Sequence, residues 1–215
     1  MSALTNAFPP LGLRIDAGPI ALRPISDDVL PALIEIAASG VHDPELMPFY
    51  YPWTDVSSER MPTEFAQFHW GNRARWSQGA WSLEFAVEYD GVIVGAQGVS
   101  TQDYPVTRTG ETGSWLGLAH QGRGIGTAMR QALCAFLFDH LDAREITSGA
   151  FLDNPASLAV SRKVGYRPDG RRVLARRGEA AVNQRLVLEP RDFVRGEPIS
   201  VTGAEEFRRF IGLDG

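Results

Sequence analysis

The chain has very little cysteine and no long apolar run. Cys134 is the single cysteine, which excludes a disulfide-stabilised scaffold and a zinc site built from cysteines. The longest apolar run, residues 132–138, is far shorter than the ~18 residues that a membrane span needs. The N-terminal sequence MSALTNAFPPLGLRI has no basic segment followed by an apolar one, so we expect no secretory signal, no membrane partner and a cytoplasmic protein.

Lysine is nearly absent as well, because Lys163 is the only lysine among 21 basic residues. The charge is also uneven. Residues 1–120 contain 6 basic and 14 acidic side chains, a net of −8, whereas residues 162–195 contain 10 and 4, a net of +6. The acidic half could attract a cationic substrate, and the basic segment could meet an anionic cofactor or nucleic acid. Ordinary solvated surface explains both segments equally well.

The rest of the composition is that of a folded globular protein. A chain of 215 residues with 44% hydrophobic residues and a net charge of −5 does not match the composition of disordered chains. Its length fits one large domain or two small ones, with enough chain to bury a core.

Local patterns predict hairpins and helices in mixed order. The clearest hairpin is a strand at 82–89, a type I′ turn at Asp90-Gly91 and a strand at 92–100. An apolar stripe predicts a helix over 125–141. Asn154-Pro155 predicts the start of a further helix, which we expect to end at Gly165.

Other segments give weaker signals. They predict an edge strand at 20–25 limited by Pro24, a helix after Ser26, a helix over 57–78, a strand at 112–119 with a bulge or a close backbone approach at Gly117, strands at 146–151, 166–176 and 181–189, and a short helix near 204–211. The aromatic- and proline-rich connection 41–62 has a length typical of functional loops. Together these elements indicate an α/β domain of the α+β type, not a doubly wound sheet.

The strand at 112–119 leads into a glycine-rich turn and then into the helix at 125–141. Glycine permits a tight turn, and the first N–H groups of a helix have no internal partner, so this pattern indicates a phosphate or pyrophosphate site. A P-loop would need a lysine before Thr127, and a Rossmann turn would need glycine at Thr127. A tight turn without any ligand is the remaining alternative.

Several motifs in order resemble the GNAT acyltransferases. Residues 121–126 are similar to their Q/R-x-x-G-x-G/A pyrophosphate loop, and ETGSWL (111–116) to the lead-in strand of the RimJ/RimL branch. Asn154-x-x-Ser157 followed by Gly165-Tyr166 is similar to the second cofactor motif of that branch. The resemblance covers about residues 20–188. Segments such as HDPELMPF and DNPAS also resemble a bacterial branch described as succinyl-CoA transferases.

The resemblance implies a GNAT fold, with a mixed, mostly antiparallel sheet of six to seven strands flanked by helices. It implies an N-terminal extension (1–19), an acyltransferase domain (20–189) and a C-terminal tail (190–215). The implied activity is transfer of an acetyl or succinyl group from acetyl-CoA or succinyl-CoA to a primary amine by direct attack, without a metal. The implied acceptor is a small molecule or a protein N-terminal or lysine amine, and a homodimer fits the resemblance.

The resemblance also implies roles for individual residues. The pyrophosphate would bind at Gln121, Gly122, Arg123, Gly124, Ile125, Gly126 and Thr127, and the pantetheine arm at Leu116, Gly117, Leu118, Asn154 and Ser157. Glu111 is the candidate base, with Asp103 as its rival, and Tyr166 is the candidate proton donor to the thiolate. Tyr50, Trp53 and Asp103 would line the acceptor pocket. Cys134 lies among apolar residues of a helix, which disfavours a cysteinyl acyl-enzyme.

Two other functions stay open at this point. A non-catalytic acyl-CoA-binding or protein-interaction module would keep the same motifs, because neither Glu111 nor Tyr166 has to be catalytic. Nucleic-acid binding by the basic segment is a third candidate. The overall acidity of the chain and the lack of interleaved aromatic residues in that segment oppose it, so no nucleic-acid partner is expected.

Overall fold

One nine-stranded sheet organises the chain in the computed structural model, which describes residues 3–214. The strands are β1 (Arg14–Ala17), β2 (Ile20–Pro24), β3 (Ala80–Tyr89), β4 (Val92–Gln102), β5 (Thr109–Leu116), β6 (Glu145–Phe151), β7 (Arg167–Arg176), β8 (Glu179–Leu188) and β9 (Ser200–Thr202). The helices are α1 (Ala3–Ala7), α2 (Leu30–Ala38), α3 (Met61–Ala74), α4 (Tyr104–Thr107), α5 (Ile125–Leu141), α6 (Pro155–Val164) and α7 (Ala204–Phe210).

The strand order is β7-β8-β6-β5-β4-β3-β2-β1-β9. Among the described residues, β5 and β6 form the single parallel pair, and every other neighbouring pair is antiparallel. The mixed, mostly antiparallel sheet confirms the predicted fold class. Its nine strands exceed the six or seven expected, since β1 and β9 extend one edge beyond β2.

The segments with the strongest local sequence signals form the elements that the sequence predicts. Asp90 and Gly91 both have positive φ, 49° and 79°, as a type I′ turn between β3 and β4 requires. The side chain of Asn154 accepts a hydrogen bond from the Ser157 N–H at 3.0 Å and so caps α6. Gly165 ends that helix with φ +106°.

Three local predictions are wrong in detail. The strand at 20–25 is not an edge strand, because β1 pairs with Leu22 on its outer side, although Pro24 lies beyond that pairing and needs no donor there. The helix predicted from residue 57 begins at Met61. The strand predicted at 112–119 ends at Leu116, and the bulge lies in β4 instead, where the register with β3 shifts beside Val87.

Helices cover both faces of the sheet and bury two apolar clusters. On one face α5 packs with α6 and α7, and Phe207 and Ile211 near the C-terminus are fully buried there. On the other face α2 and α3 pack on the sheet around Leu33 and Phe65. The segments outside 20–189 thus contribute β1 and β9 to the sheet edge beyond β2 and the helix α7 to the first cluster. The domain bounds themselves stay a prediction. Within residues 3–214, no helix combines the length and apolarity that a bilayer span requires.

Candidate active site between two diverging strands

The parallel pair β5–β6 separates soon after it begins, which opens a V-shaped gap in the sheet. Pairing covers three residues, from Thr109↔Glu145 to Glu111↔Thr147, and the two strands then stay with their other neighbours. The Thr112 carbonyl accepts a hydrogen bond from Ser148 Oγ at 3.2 Å across the start of the gap. Along a strand, the backbone N–H and C=O groups of successive residues point alternately to the two sides. The backbone groups of Ser114 and Leu116 therefore point to the same side as those of Thr112, into the gap, where no strand within residues 3–214 pairs with them.

The glycine-rich turn lies at the open end of the gap, directly after β5. Gly122 and Gly124 have φ of +72° and +84°, and a Cβ at either position would meet no atom within 4 Å. Within the described chain, the N–H groups of residues 122–126 donate to no backbone carbonyl. They precede a helix of 17 residues, whose dipole favours an anion at this end. The turn therefore fits the pyrophosphate that the sequence predicts here.

Two backbone groups that the sequence assigned to the cofactor are already used. The Thr127 N–H donates to the Gly124 carbonyl at 3.0 Å, and the Leu118 N–H donates to the Gly40 carbonyl at 3.0 Å. Of the two alternatives predicted for Gly117, the bulge is wrong and the close backbone approach is confirmed. A Cβ there would lie 2.6 Å from Ile36 Cγ2, so helix α2 requires a glycine at this position. The strand groups available to a pantetheine arm are the N–H and carbonyl of Ser114 and the N–H of Leu116, because the Leu116 carbonyl accepts a hydrogen bond from Gln121 Nε2.

The side chains around the turn have structural duties of their own. Gln121 Nε2 donates to the carbonyls of Val41 and Leu116 at 2.7 and 2.8 Å, which ties the turn to the start of the 41–62 connection. The Arg123 guanidinium carbon lies 5.5 Å from the centroid of the Tyr89 ring. Ile125 is buried in the core, and Gly126 gives α5 close access to Val160 of α6. Asn154 and Ser157 line the opposite side at the end of β6, where the cap uses Asn154 Oδ1 but leaves its Nδ2 free to donate.

The face of the sheet toward α2 and α3 carries an open trough beside the gap. Three successive rows cross β3, β4 and β5: Ala86–Ala96–Trp115, Glu84–Gly98–Gly113 and Ser82–Ser100–Glu111. The middle row has two glycines, and a Cβ at Gly113 would meet no atom within 4 Å. The trough therefore has a backbone floor, and Glu111, 52% exposed in its side chain, stands at its border.

Aromatic rings form the wall of this trough at the first row. The Trp115 ring lies 5.5 Å from that of Trp53 and 6.0 Å from that of Phe65, measured between centroids. The structure thus places Trp53 at the wall of the trough, and its role in the acceptor pocket stays a prediction. Tyr50 is 63% exposed on the same connection and forms no ring contact with them within residues 3–214. Asp103 lies past the end of β4, three residues beyond Ser100, the partner of Glu111. The structure does not bring Asp103 to the trough.

A second carboxyl in the trough was missed by the sequence reasoning. Glu84 extends over Gly98, and a Cβ at Gly98 would collide with its carboxylate. Burial raises the pKa of Glu84 to about 8. His69 of α3 lines the same small cavity, and burial lowers its pKa to about 4. The sequence signal was an acidic residue at an inward position of a strand, facing a glycine on the next strand.

These two groups predict a particular dependence of stability on pH. Glu84 binds its proton more tightly folded than unfolded, so its contribution falls as pH rises from 4.5 to about 8. His69 acts oppositely between about 4 and 6.5, where the unfolded chain binds more protons. Above pH 6.5 Glu84 acts alone. We expect the free energy of unfolding to fall by about 1.6 kcal/mol between about pH 6.5 and 8.

Urea unfolding of Glu84→Gln tests this expectation, because the amide has the same shape and no titration. The variant should lose the decline above pH 6.5, and the exposed Glu59→Gln should keep it. An equal decline in wild type and Glu84→Gln would show that another group causes it.

The connection 41–62 is fastened over the site by the turn between β7 and β8. Arg177 donates to both oxygens of Asp55, at 2.8 and 2.6 Å, and to the Pro44 carbonyl at 3.0 Å. The guanidinium lowers the pKa of Asp55. The neighbouring Arg176 pairs with Asp153 at 2.6 Å and donates to the Met47 carbonyl at 3.2 Å. These contacts neutralise part of the basic segment, which is therefore no continuous cationic surface.

Tyr166 and Cys134 lie on the α5 side of the closed end of the gap. The Tyr166 hydroxyl is 3.0 Å from Thr112 Oγ1 and 3.6 Å from Cys134 Sγ. Burial raises the pKa of Tyr166 well above its usual value and that of Cys134 to about 11. The phenol is therefore neutral and can donate a hydrogen bond. Cys134 is fully buried, as predicted, and carries no nucleophilic thiolate near neutral pH.

No cluster of three or more histidine, cysteine, aspartate or glutamate side chains that could hold a metal occurs within residues 3–214. The site thus consists of a gap with free strand groups, an anion-binding turn at its open end, and an acidic trough on one face. These parts match an elongated anionic ligand that meets an amine.

Comparison with known proteins agrees with this interpretation of the site. A family model described as "Acetyltransferase (GNAT) domain" matches residues 20–167. YdaF of Bacillus subtilis (strain 168), which is named as a ribosomal N-acetyltransferase, is 29% identical over 89 residues, 41% of this chain and 48% of that protein. The match thus spans about half the length of that relative.

Solved structures show the same fold over most of the chain. RimJ of Mycobacterium smegmatis in complex with CoA-disulfide has a TM-score of 0.71 at 22% identity, over 92% of both chains. A RimL ribosomal-protein acetyltransferase in complex with coenzyme A has a TM-score of 0.66 at 20% identity, over 80% of this chain and 95% of the other. A chimera of the Vibrio cholerae spermidine N-acetyltransferase SpeG scores 0.64 at 15% identity, over 80% and 96%.

Proposed function

The chain belongs to the GNAT acetyltransferase family, and from that premise we propose that it transfers an acyl group from acyl-coenzyme A to a primary amine in a ternary complex. The observation that carries the proposal is the V-shaped gap, with the anion-binding turn at its open end and the acidic trough at its side. The gap admits a linear, uncharged arm, and the turn receives two phosphates. The Glu111 carboxylate at the border of the trough favours a cationic group, whereas Glu84, whose pKa burial raises to about 8, is mostly protonated at neutral pH.

The chain's own residues hold the donor in three places. The N–H groups of residues 122–126 bind the pyrophosphate, and Arg123 adds a positive charge near it. The N–H and carbonyl of Ser114 and the N–H of Leu116 pair with the amides of the arm, as in strand addition. Asn154 Nδ2 donates from the β6 side. The bound thioester supplies an activated acyl group. Of the two candidate groups, acetyl and succinyl, we favour acetyl because it is the smaller.

The acceptor amine binds in the trough, between Glu84 and Glu111. Its attack requires the neutral amine, whose pKa is about 7.7–8 for a protein N-terminus and about 10.4 for lysine. Glu111 takes the proton directly or through a water, because it borders both the trough and the start of the gap. The phenol of Tyr166 donates a hydrogen bond at the closed end of the gap. With its raised pKa it is a poor proton source, and solvent completes protonation of the thiol.

A protein amine is the acceptor class that we favour. The trough is open and shallow at Gly113, and the connection 41–62 forms its upper wall, so an extended chain end has room to enter. The RimL neighbour and YdaF are named as a ribosomal-protein acetyltransferase and a ribosomal N-acetyltransferase, which is consistent with this choice. SpeG, a neighbour of the same fold, is named for spermidine, so the fold alone does not select the acceptor.

The contacts that hold the connection 41–62 in place predict an effect on binding of the acceptor amine. Arg177→Ala removes two bonds to Asp55 and one to Pro44, so the upper wall loosens. We expect KM for the amine to rise about fivefold, because such exposed contacts contribute about 1 kcal/mol, with Kd for coenzyme A unchanged. Arg185→Ala, which removes a surface pair with Asp169, is the control. A change confined to coenzyme A binding would contradict the assignment of this wall.

The function itself is tested by measuring release of free coenzyme A. Acetyl-CoA and succinyl-CoA are each incubated with peptides bearing free N-termini, with lysine peptides and with polyamines. We expect release with acetyl-CoA and an N-terminal peptide. Tight binding of coenzyme A without release in any combination would support the non-catalytic module instead. The mass of a co-purified acyl-CoA would identify the natural donor.

A further inference from the structure

A buried arginine without an acidic partner lies beside the gap. Arg130 of α5 is 4% exposed, and no ion pair to it occurs within residues 3–214. Its Nη2 donates to Ser114 Oγ at 2.9 Å, and its Nη1 lies 3.3 Å from Ser148 Oγ and 3.5 Å from Ser161 Oγ. Its Nε has no hydrogen-bond partner. Sequence reasoning missed it, although a basic residue four positions before Cys134 on a buried helix face is an unusual pattern.

The hydroxyl partners place the guanidinium across the gap. Ser114 belongs to β5, Ser148 to β6 and Ser161 to α6, so each of the three elements that border the gap contributes one hydroxyl acceptor to Arg130. Ser148 follows directly after Thr147, the last residue of β6 that pairs with β5. The guanidinium thus spans the V near its closed end, away from the glycine-rich turn.

A buried cation that faces only neutral hydroxyls is costly, because hydroxyl dipoles replace its hydration incompletely. A protein keeps such a group where a ligand supplies the opposite charge. Under the proposed function, the pyrophosphate occupies the turn at the open end, and the arm that enters the gap is uncharged. The charge that can reach Arg130 therefore arises at the reacting end of the ligand.

The reaction itself generates that charge. When the amine nitrogen bonds to the thioester carbon, the carbon–sulfur bond breaks and sulfur leaves with the electron pair as a thiolate. The amine proton passes to Glu111 or water. We propose that Arg130 is a catalytic residue that pairs with the departing thiolate of coenzyme A. This inference rests on the proposed function, and it assigns leaving-group stabilisation to the guanidinium.

The surroundings of Arg130 leave few other titrating groups to explain a pH effect. From α5 it faces the Cys134 thiol, and from the start of β7 it faces the Tyr166 ring, whose centroid lies 5.9 Å from the guanidinium carbon. From β5, β6 and α6 it faces serine hydroxyls only. Burial keeps the pKa of Cys134 at about 11 and that of Tyr166 above its usual range, so both stay protonated at pH 6–9.

Binding of the product tests the proposal without turnover. A cation in contact lowers the pKa of a thiol by about 1–2 units from about 8.5, so free coenzyme A should bind about tenfold more tightly at about pH 9 than at pH 6. Desulfo-coenzyme A lacks the sulfur and should show no such gain. The difference between the two ligands, measured by calorimetry, isolates the thiolate from the titration of the phosphates.

Arg130→Gln should remove the difference between the two ligands, and Arg130→Lys should keep part of it. The exposed Arg191→Gln is the control. Replacing a buried charge by a polar isostere often leaves a fold intact, and thermal unfolding of each variant checks this. Acetyl-CoA turnover by Arg130→Gln should fall in kcat with little change in KM, and the loss should shrink with a more acidic leaving thiol.

Two results would overturn the proposal. One is equal pH dependence of coenzyme A and desulfo-coenzyme A binding in the wild type. The other is a selective loss of succinyl-CoA affinity in Arg130→Gln with the thiol effect intact, which would assign the cation to an acyl carboxylate. If neither ligand bound at all, the proposed function would fail instead, so the two failures are distinguishable.

Discussion

Gly124→Glu is expected to abolish binding of coenzyme A, with Kd rising about a thousandfold. The new carboxylate would stand in the open space that the pyrophosphate occupies, and two like charges ~4 Å apart near a protein surface repel by about 4 kcal/mol. The substitution also forces a side chain onto a φ of +84°, at a cost of about 1–2 kcal/mol in stability. Calorimetric titration with coenzyme A measures the effect.

Gly170→Glu separates charge at the site from backbone strain. Gly170 of the edge strand β7 has φ +82° and equally open surroundings, so the same change produces the same strain far from the turn. The melting temperatures of both variants should fall by similar amounts, and only Gly124→Glu should lose binding of coenzyme A. If coenzyme A bound Gly124→Glu normally, the pyrophosphate would not lie at this turn.

Glu111→Gln is expected to lower kcat/KM about a hundredfold or more at pH 7, the usual contribution of a general base. The amide keeps the size of the side chain but accepts no proton. The contact that it weakens, to Arg172 at 3.8 Å, is exposed and contributes little to stability. The loss should therefore be kinetic, with unchanged unfolding and unchanged Kd for coenzyme A.

The pH profile identifies what Glu111 does. Once an N-terminal amine is deprotonated, above about pH 8, the reaction needs the base less, so the deficit of Glu111→Gln should narrow. With a lysine acceptor the deficit should persist to higher pH. Glu84→Gln is the informative comparison, because Glu84 shares the trough. A large kinetic loss in Glu84→Gln and none in Glu111→Gln would transfer the role of base to Glu84.

Local signals predicted the elements whose residues determine their own conformation. Asp90-Gly91, the Asn154 cap and Gly165 each provide a turn, a side-chain acceptor or a left-handed residue within a few positions, and the structure has each of them. The apolar stripe of α5 is equally local. Signals that depend on distant partners were weaker. Pro24 indicated an edge strand, but β1 pairs with only the first part of β2 and leaves the proline without a partner on that side, while β3 pairs with it on the other.

The same contrast divides the site. The glycine-rich turn and the second motif were predicted because their chemistry lies in contiguous residues. Glu84 and Arg130 were missed because burial makes each of them unusual, and burial depends on strands and helices far apart in the chain. Asp103 shows the converse case: it lies close to Glu111 along the chain, yet it follows the end of β4 and stands apart from the trough.

By itself, the sequence determined the α+β class, the membership in an acyltransferase-like family and the anion-binding turn, since glycine positions, caps and apolar periods act over short distances. Only the tertiary structure decided which strand groups face the gap, that the trough holds two carboxyls, and that a guanidinium spans β5, β6 and α6. Those features require the divergence of β5 from β6, which arises because each strand keeps its antiparallel neighbour while the parallel pairing between them ends at Glu111.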